Sequence, residues 1–330
     1  MAIIKQPMLK RILFTLFVFF GLSLTAQAAE RVVIGVSPAL SATLSIVAKQ
    51  QLFFSQQGVE ADVHVIESGS KAVAMMLNDE LDISEGTVFA LVSNSFSRKD
   101  FRILTQVSTA GNSNMVVARK DKGIRKIEDL VGKKVGVLKA GFPQYVLDLM
   151  LLNAGLDPKK VKLVFEETDR LCQMLSSGEI DAACLYGVWI DRAKQDLKDN
   201  AVVFHDSKIT HVTIVHAGKI KNFERNHDLY SRMLKAYIAA EEYVKKNPEA
   251  ALKIVVDYLK LDMGNARKVW KPNLNHVALE QSLVKDMENL AQWQIEVGMQ
   301  KNAKSSPNYL DFIHFRSLKE VDPERVTVAH

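Results

Sequence analysis

Cysteines and reactive motifs are scarce in this chain. Cys172 and Cys184 are its two cysteines, too few for a disulfide scaffold and in the wrong pattern for a metal site. They fall on a predicted helix and on the strand after it, so a bridge stays open beside the favoured alternative of two inert buried thiols. No HExxH, GxSxG, Walker A or strand-linked GxGxxG sequence occurs, and His205, His211 and His216 lack metal-site spacing. The usual sequence reasons to predict catalysis, a metal or a cofactor are therefore missing.

An excess of charge of one sign is also missing. The net charge is +5, and Lys5, Lys10 and Arg11 lie in the first 28 residues without an acid beside them. The rest of the chain therefore carries a net charge of +2, too balanced to predict a nucleic-acid partner. With 48% hydrophobic and 25% charged residues, the chain is typical of a globular protein with one large core or two moderate ones.

The first 28 residues have the order of a secretory signal. The three basic residues precede an apolar run from Ile12 to Leu24, and the small-residue sequence Ala26-Gln27-Ala28 follows. A permanent membrane anchor is disfavoured, because the run is shorter than the roughly 18 residues needed to span a bilayer. The residue directly after the cleavage site is Ala29 and not a cysteine, which disfavours a lipid anchor. We expect a mature protein that begins near Ala29 and is free in the periplasm.

Short apolar strands alternate with helical segments from Arg31 onward, the pattern of an α/β protein with a mostly parallel sheet. The same order returns about one hundred residues later with similar residue types. The matching segments are 33–36 with 135–138, 57–60 with 154–157, and 72–84 with 171–183. Three matches in register favour homology over the ordinary likeness of any two βα runs. The sequence therefore predicts two homologous lobes.

Extended runs between the repeats predict two crossings from lobe to lobe. Residues 101–107 and 115–118 suit the first crossing, and residues 211–216 suit the return. This assigns 1–28 to the signal peptide, 29–112 and 213–330 to lobe one, and 113–212 to lobe two. Two crossings make a hinge, which suits a ligand clamp. Helices dominate afterwards, and the polar last dozen residues are expected to pack loosely.

The carboxyl ends of parallel strands face a crevice, where helix N-termini offer unpaired N–H groups to a ligand. Asp82 and Asp181 are predicted to cap loops there rather than to contact the ligand. Applied to both lobes, the rule predicts these ligand-binding residues: Ser37, Pro38, Ser68, Gly69, Ser70, Thr87, Val88, Phe89, Lys139, Gly141, Phe142, Glu167, Thr168, Tyr186 and Trp189.

Purely structural alternatives stay open for several of these residues. The run from Ser68 to Ser70 could be only a turn with a helix cap. Tyr186 and Trp189 could be core aromatics, although their spacing after a strand suits the wall of a pocket. Lys139 could be a solvated charge.

Several long segments carry a resemblance to a known family. They are residues 34–63 (IGVSPALSATLSIVAKQQLFFSQQGVEADV), 68–84 (SGSKAVAMMLNDELDIS), 128–164 (EDLVGKKVGVLKAGFPQYVLDLMLLNAGLDPKKVKLV), 176–189 (SSGEIDAACLYGVW) and 236–252 (AYIAAEEYVKKNPEAAL). In them the chain resembles the periplasmic binding proteins of ABC importers in the nitrate, sulfonate, taurine and thiamine-precursor family. The resemblance implies a two-lobed, type II-like periplasmic-binding-protein fold that closes on a small-molecule ligand. It also implies an inner-membrane ABC importer permease as partner, and no catalysis or cofactor. No coiled-coil pattern requires an oligomer, so a monomer is expected.

Two departures from the family pattern bear on the ligand. The family often has Lys-Gly-Ser/Thr after the lobe-two strand, whereas this chain has Lys139-Ala140-Gly141-Phe142-Pro143, without the hydroxyl and without one N–H. The family often has Trp-Glu-Pro-Trp, where this chain has Tyr186-Gly187-Val188-Trp189. With Phe89 added, and with Glu85 and Glu167 beside the cleft, a buried anion would be costly. We therefore expect an aromatic or heterocyclic organic ligand, with an organosulfonate as the second choice.

Two other functions stay open. An enzyme on the same fold, such as a thiamine-precursor synthase or a dehydratase, is disfavoured, because such synthases use a Cys-rich motif that two isolated cysteines cannot supply. A periplasmic sensor subunit would bind the same kind of ligand and present the same closed lobes to a receptor. An importer permease encoded beside this protein would favour transport.

Overall fold

The computed structural model describes residues 29–110, 114–139, 141–206 and 212–329. The strands are β1 (Glu30–Val36), β2 (Val59–Val65), β3 (Ile83–Thr87), β4 (Phe101–Ala110), β5 (Asn114–Arg119), β6 (Lys134–Val137), β7 (Lys162–Phe165), β8 (Ala182–Tyr186), β9 (Ala201–Phe204), β10 (Val212–Lys219) and β11 (Asn275–Ala278). The α-helices are α1 (Thr43–Gln50), α2 (Phe53–Gln56), α3 (Gly69–Leu77), α4 (Val88–Ser95), α5 (Phe142–Asn153), α6 (Thr168–Ser177), α7 (Val188–Leu197), α8 (Ile220–Arg225), α9 (His227–Lys246), α10 (Pro248–Leu259), α11 (Met263–Val269), α12 (Gln281–Glu296) and α13 (Phe315–Val321). The predicted signal peptide, residues 1–28, lies outside these ranges, and no helix within them is long and apolar enough to cross a membrane.

Two separate sheets organise the chain. The first has the strand order β11-β4-β10-β3-β1-β2, and the second has the order β7-β6-β8-β5-β9. We call the first sheet with its helices lobe one and the second lobe two. The chain passes to lobe two between Ala110 and Asn114 and returns between Phe204 and Val212. Residue 211 of the predicted returning run lies outside the described ranges, and the domain boundaries at 112/113 and 212/213 stay a prediction.

Each sheet is mixed, with a parallel centre. β1 is parallel to β2 and β3, and β6 is parallel to β7 and β8. β10 runs antiparallel to β3 and β4, and β5 runs antiparallel to β8 and β9. These two strands begin just after the chain changes lobe, so they enter the sheet without the helical crossover that makes neighbouring strands parallel. The parallel strands of each lobe end at one common edge.

The two lobes repeat one turn in side-chain detail. In lobe one the Asp82 carboxylate accepts a hydrogen bond from the backbone N–H of Val33, with an N–O distance of 2.9 Å. In lobe two the Asp181 carboxylate accepts one from the backbone N–H of Lys134 at 2.8 Å. Both aspartates therefore satisfy the backbone of a neighbouring strand, which agrees with their prediction as loop caps.

Matching glycines lie on the same two strands. A Cβ added at Gly35 would lie 2.4 Å from Leu81 Cδ1, and a Cβ added at Gly136 would lie 2.6 Å from Ile180 Cδ1. Real Cβ atoms do not approach other atoms so closely, so a side chain at either position would force the neighbouring Leu or Ile side chain to move where the following βα unit packs on the strand. These equivalent contacts support the homology of the two lobes.

We expect Asp82→Ala and Asp181→Ala to lower the free energy of unfolding by similar amounts, about 1–2 kcal/mol each. Each substitution removes a charged acceptor and leaves a strand N–H without its partner. Urea unfolding of both variants measures the effect, with Asp199→Ala as the control because Asp199 is exposed on the surface of lobe two. Costs that differ severalfold between the two lobes would contradict the equivalence of the turns.

Helix boundaries differ from the sequence pattern where the backbone changes direction. The apolar pattern of residues 43–53 predicts a single helix, but the helix ends at Gln50, because Leu52 adopts a left-handed conformation with φ of 60° before α2 begins. The pattern of residues 223–246 also predicts a single helix, but the structure divides it into α8 and α9, and the Asn226 side chain caps α9 by accepting from Leu229 N–H. A helical period continues across such breaks, so the pattern alone does not reveal them.

The C-terminal segment is packed, and the expectation that the last dozen residues pack loosely was wrong. Val328 is only 4% exposed. Leu279 N–H donates to the Arg325 carbonyl oxygen, and Thr327 N–H donates to the Leu279 carbonyl oxygen. The Arg325 guanidinium also donates to the Glu241 carboxylate at 2.7 Å. Polar composition misled the prediction, because these residues pair with buried groups of lobe one.

Cys172 and Cys184 belong to separate hydrophobic clusters of lobe two. Cys184 Sγ lies 3.2 Å from the Pro143 carbonyl oxygen, and Cys172 Sγ lies 3.7 Å from the Trp189 carbonyl oxygen. Both are buried free thiols. Burial raises the pKa of Cys184 to about 12 and also raises the pKa of Cys172. The structure therefore has the inert thiols rather than the bridge.

Candidate functional site

Helix N-termini from both lobes meet the carboxyl ends of the parallel strands. In lobe one α3 and α4 begin there, and in lobe two α5, α6 and α7 begin there. The residues that precede these helices are Ser68, Thr87, Gly141, Glu167 and Gly187. Because the first N–H groups of a helix have no partner within the helix, this edge of each sheet suits a polar or anionic ligand group.

The lobe-one side of the site has a floor without bulky side chains. A Cβ at Gly69 would lie 3.2 Å from Gly86 Cα and 3.4 Å from Ser37 Oγ. A Cβ at Gly86 would lie 2.6 Å from Val73 Cγ2. The structure thus brings together Ser37 and Gly69, two predicted site residues, and adds Gly86, whose lack of a side chain lets α3 approach β3.

Helix capping uses two of the predicted hydroxyls. Ser68 Oγ accepts from Lys71 N–H at 3.2 Å, and Thr87 Oγ1 accepts from Ala90 N–H at 3.3 Å. Ser70 and Pro38 are exposed beside them. The capping role left open for Ser68 is therefore present, and ligand contact by these four residues stays a prediction.

The lobe-two side presents exposed apolar side chains, which we call the apolar ledge: Phe165, Tyr186 and Val188. Their exposed fractions are 41%, 40% and 75%, which is high for apolar groups. Lys139 is exposed, and its Nζ lies 5.6 Å from the centre of the Phe165 ring. The ledge therefore combines apolar surface with one cation held over an aromatic face.

Three other predicted residues of lobe two lie around this ledge. Glu167 is exposed before α6, and Thr168 is buried at its first residue. Trp189 is half-buried against the lobe-two core, with the Arg192 guanidinium 5.8 Å from its ring centre. The packing of Trp189 matches the core role that the sequence left open, and only part of its ring is accessible.

Phe89 and Phe142 lie at a contact between the lobes. Their rings are 6.0 Å apart and nearly perpendicular, and Phe89 also lies 6.1 Å from Trp293 of α12. Val88 is buried beside them, and Gly141 is the residue before Phe142. Sequence reasoning placed these residues in one cleft, and the structure shows that Phe89 and Phe142 also join the lobes.

A buried hydrogen bond reinforces this contact. Trp293 Nε1 donates to the Asp148 carboxylate of α5 at 2.8 Å. The two side chains are 7% and 6% exposed. Burial raises the pKa of Asp148, although the bond from Trp293 partly offsets that shift. This pair could not be predicted from the sequence, because the two residues lie far apart in the chain and neither belongs to a motif.

Glu85 does not lie at the cleft surface, which corrects the sequence expectation. It belongs to β3 and has no exposed surface. One carboxylate oxygen accepts from Ser41 Oγ at 3.1 Å, and the other lies 3.5 Å from Nε2 of the fully buried His216. The pair stands directly across the β3–β10 ladder. Glu85 is therefore part of the lobe-one core, and Glu167 remains the carboxylate beside the ledge.

Groups that support catalysis by metal or thiol do not gather at this site. Within the described ranges, no three His, Cys, Asp or Glu residues are grouped so that they could hold a metal ion. Both thiols are buried and have raised pKa values, which disfavours the reactive thiolate.

Comparison with known proteins identifies relatives across both lobes. A family model described as "NMT1/THI5 like" matches residues 41–251. A Brucella abortus protein described as a binding protein is 24% identical over 232 residues, 68% of this chain and 69% of its own. The taurine-binding periplasmic protein of Escherichia coli is 25% identical over 179 residues, 54% of this chain and 55% of its own.

Solved structures share the architecture at low sequence identity. The periplasmic aliphatic sulphonate binding protein SsuA from Escherichia coli superposes with a TM-score of 0.72 and 13% identity, covering 86% of this chain and 97% of that one. The desulfurization enzyme DszB superposes with a TM-score of 0.65 and 14% identity, covering 89% and 99%. The fold is that of the periplasmic binding proteins, which an enzyme also uses. Because the family model matches residues 41–251, more than half of the chain, the chain belongs to the NMT1/THI5-like family.

Proposed function

We propose that this protein is the periplasmic solute-binding component of an ABC importer and binds a small organic ligand without converting it. The observation that carries the proposal is that helix N-termini of both lobes and the exposed apolar ledge lie at the carboxyl ends of the parallel strands. A ligand between them would contact both lobes, and hinge closure would remove it from water. The named functions of the Escherichia coli taurine-binding protein and SsuA support this assignment.

Two ligand classes fit the site. The apolar ledge favours an aromatic or heterocyclic ring, because exposed apolar surface of this kind is typical of ligand-binding sites. Lys139 and the helix N-termini favour an anionic head group, and the names of the relatives point to organosulfonates. We rank the aromatic or heterocyclic ligand first and the organosulfonate second.

The partner and the assembly follow from this function. A protein free in the periplasm can deliver its ligand to an inner-membrane ABC permease, which agrees with the secretory signal predicted for residues 1–28. We propose a monomer, with the closed lobe pair as the surface that the permease recognises. A sensor subunit would use the same surface, and co-purification with a permease distinguishes the two roles.

The chemistry of the site disfavours catalysis. The enzyme DszB shares the fold, so the fold itself allows catalysis. In this chain neither thiol is accessible, and the carboxylate nearest the cleft floor, Glu85, is sealed in the core. Lys139 is exposed over an aromatic ring, which suits binding.

Thermal-shift screening of the exported protein tests the proposal against aromatic acids, pyrimidine-like heterocycles, aliphatic sulfonates and nitrate. A true ligand at 100 times its dissociation constant is expected to stabilise the protein by about 2.7 kcal/mol. Tyr186→Ala should weaken an aromatic ligand at least about tenfold, because it removes ledge surface. Lys139→Met should instead weaken a sulfonate by about tenfold.

Lys162→Met is the matched control, because Lys162 is exposed at the opposite, amino end of β7. It should leave the affinity for every ligand unchanged. Each compound that binds is also incubated with the protein and analysed by mass spectrometry. Formation of a product would contradict the non-catalytic role. If a ligand bound the Tyr186→Ala and Lys139→Met variants with the same affinity as the unaltered protein, its site would lie elsewhere.

A further inference from the structure

Basic side chains are concentrated at one end of lobe two, in two segments that we call the basic end: residues 120–134 and 157–160. These segments contain eight basic and four acidic residues, a net charge of +4. Because the whole chain after residue 28 has a net charge of only +2, the rest of it is slightly acidic. The basic residues are Lys120, Lys122, Arg125, Lys126, Lys133, Lys134, Lys159 and Lys160, all exposed except the half-buried Lys133.

The fold brings the two segments together. Lys133 Nζ donates to the Lys122 carbonyl oxygen at 2.8 Å, and Gly132 N–H donates to the Lys160 carbonyl oxygen at 2.8 Å. The first segment leads into β6 at Lys134, and the second ends just before β7. The basic end therefore lies at the amino ends of these strands, away from the cleft at their carboxyl ends.

Neighbouring acids do not neutralise these cations. Within the described ranges, none of the eight basic side chains forms an ion pair. The acids of the segments have other partners. Asp129 accepts from the N–H groups of Arg125 and Lys126, and Asp121 pairs with Arg119 at 2.7 Å. A surplus of positive charge therefore faces the solvent.

One apolar side chain projects among the cations. Val131 is 43% exposed, and Gly132 beside it has a φ of 75°, in the left-handed region that favours glycine. The tight turn thus presents an apolar tip inside a ring of positive charge. This combination suits an anionic lipid surface, where cations are attracted to the head groups and apolar groups enter the interface.

Other anionic partners use less of this surface. A soluble polyanion would attract the lysines but would leave Val131 in water. A nucleic acid would face the same objection, and the periplasm proposed for this protein is bounded by lipid. The exposed valine and the unpaired cations together therefore favour a membrane surface.

We propose that the basic end adsorbs reversibly to the anionic lipid head groups at the periplasmic face of the inner membrane. Adsorption would concentrate the protein near its permease. It would leave the cleft open to ligand, because the basic end lies at the opposite edge of the lobe-two sheet. This inference goes beyond the proposed function and depends on it only for the periplasmic location, since no transported ligand takes part.

Co-sedimentation of the exported protein with vesicles tests the proposal without any ligand. Vesicles of phosphatidylcholine and phosphatidylglycerol in equal amounts should bind the protein at least about tenfold more tightly than vesicles of phosphatidylcholine alone. The preference should vanish in about 1 M NaCl, where screening reduces the range of electrostatic attraction to about 3 Å. Lys159→Glu/Lys160→Glu should weaken binding at least about tenfold, and Val131→Ser about threefold.

Lys301→Glu/Lys304→Glu is the matched control, because both lysines are exposed in lobe one and the net charge changes by the same amount. It should bind the mixed vesicles as the unaltered protein does. Three results would overturn the proposal: no preference for the mixed vesicles, an equal loss of binding in the control variant, or equally tight binding to polyglutamate in solution. The substituted side chains are exposed, so folding should be kept, and circular dichroism verifies this for each variant.

Discussion

Arg325→Ala is expected to lower the free energy of unfolding by about 3 kcal/mol. Glu241 of α9 is only 2% exposed, and its carboxylate accepts from the Arg325 guanidinium and from Val277 N–H. Arg325 also donates to the Val277 carbonyl oxygen at 2.8 Å. Removing the guanidinium leaves a buried carboxylate with Lys245 as its remaining cationic partner. Urea unfolding at neutral pH measures the loss.

Arg316→Ala provides the control for this measurement. Arg316 lies in the same C-terminal region, but its side chain is 69% exposed and it pairs with an exposed Glu320. Exposed ion pairs contribute little, so the control should lose less than about 1 kcal/mol. If Arg325→Ala lost no more than Arg316→Ala, the C-terminal segment would not be the integral part of lobe one that its contacts indicate.

The architecture could be predicted because periodicity and repetition are local properties of the sequence. The alternation of strands and helices and the echo of residues 72–84 in 171–183 identified two related lobes. The structure shows the physical origin of this echo in Asp82 and Asp181, each bound to a strand N–H. The sequence of the two segments is therefore similar where an aspartate in each lobe must accept a hydrogen bond from a strand N–H.

The site was predicted only in outline, because it depends on contacts between residues far apart in the chain. The rule of strand ends led to Lys139 and Tyr186, which do lie at that edge. It also led to Glu85, which the β3–β10 ladder pairs with His216 inside lobe one. Phe165 was missed, although it is the last residue of β7, because the loop that the sequence predicted there begins at Glu167.

The contact between the lobes was harder still to predict from sequence. The amphipathic pattern of α12 identifies its buried face but not the element that covers Trp293. Only the fold brings α5 of lobe two to that position and pairs Trp293 with Asp148. Similarly, nothing local distinguishes the polar C-terminal residues that bind buried Glu241 from a segment that is solvated.

His314 is expected to make the protein sensitive to mild acid. Burial, together with the positive charges of His227, Arg316 and Arg102, lowers the pKa of His314 from its ordinary value of 6.5 to about 4, against an opposing effect of Glu320. Its ring stacks on Phe223 with centres 4.6 Å apart, and its Nε2 lies 2.9 Å from Ser317 Oγ. The native state therefore favours the neutral ring, whereas the unfolded chain gains a proton near pH 6.5.

The sign of the effect follows from this depressed pKa. The contribution of His314 to stability is fully present above pH 6.5 and is lost as the pH falls toward about 4, where the native ring also becomes protonated. The full loss is about 3 kcal/mol. Asp148 acts in the opposite direction, because its pKa is raised and its buried charge costs less stability as it becomes protonated.

Comparison of the unaltered protein with His314→Gln isolates this contribution, since Asp148 and the other carboxylates titrate alike in both. Urea unfolding between pH 7 and pH 4 should show that the unaltered protein loses about 3 kcal/mol more than the variant. His205→Gln is the control for replacing a histidine, because His205 is exposed on the surface of lobe two. Parallel pH profiles for His314→Gln and the unaltered protein would mean that His314 is protonated as readily in the native state as in the unfolded chain, and that its stacking on Phe223 does not exclude the charge.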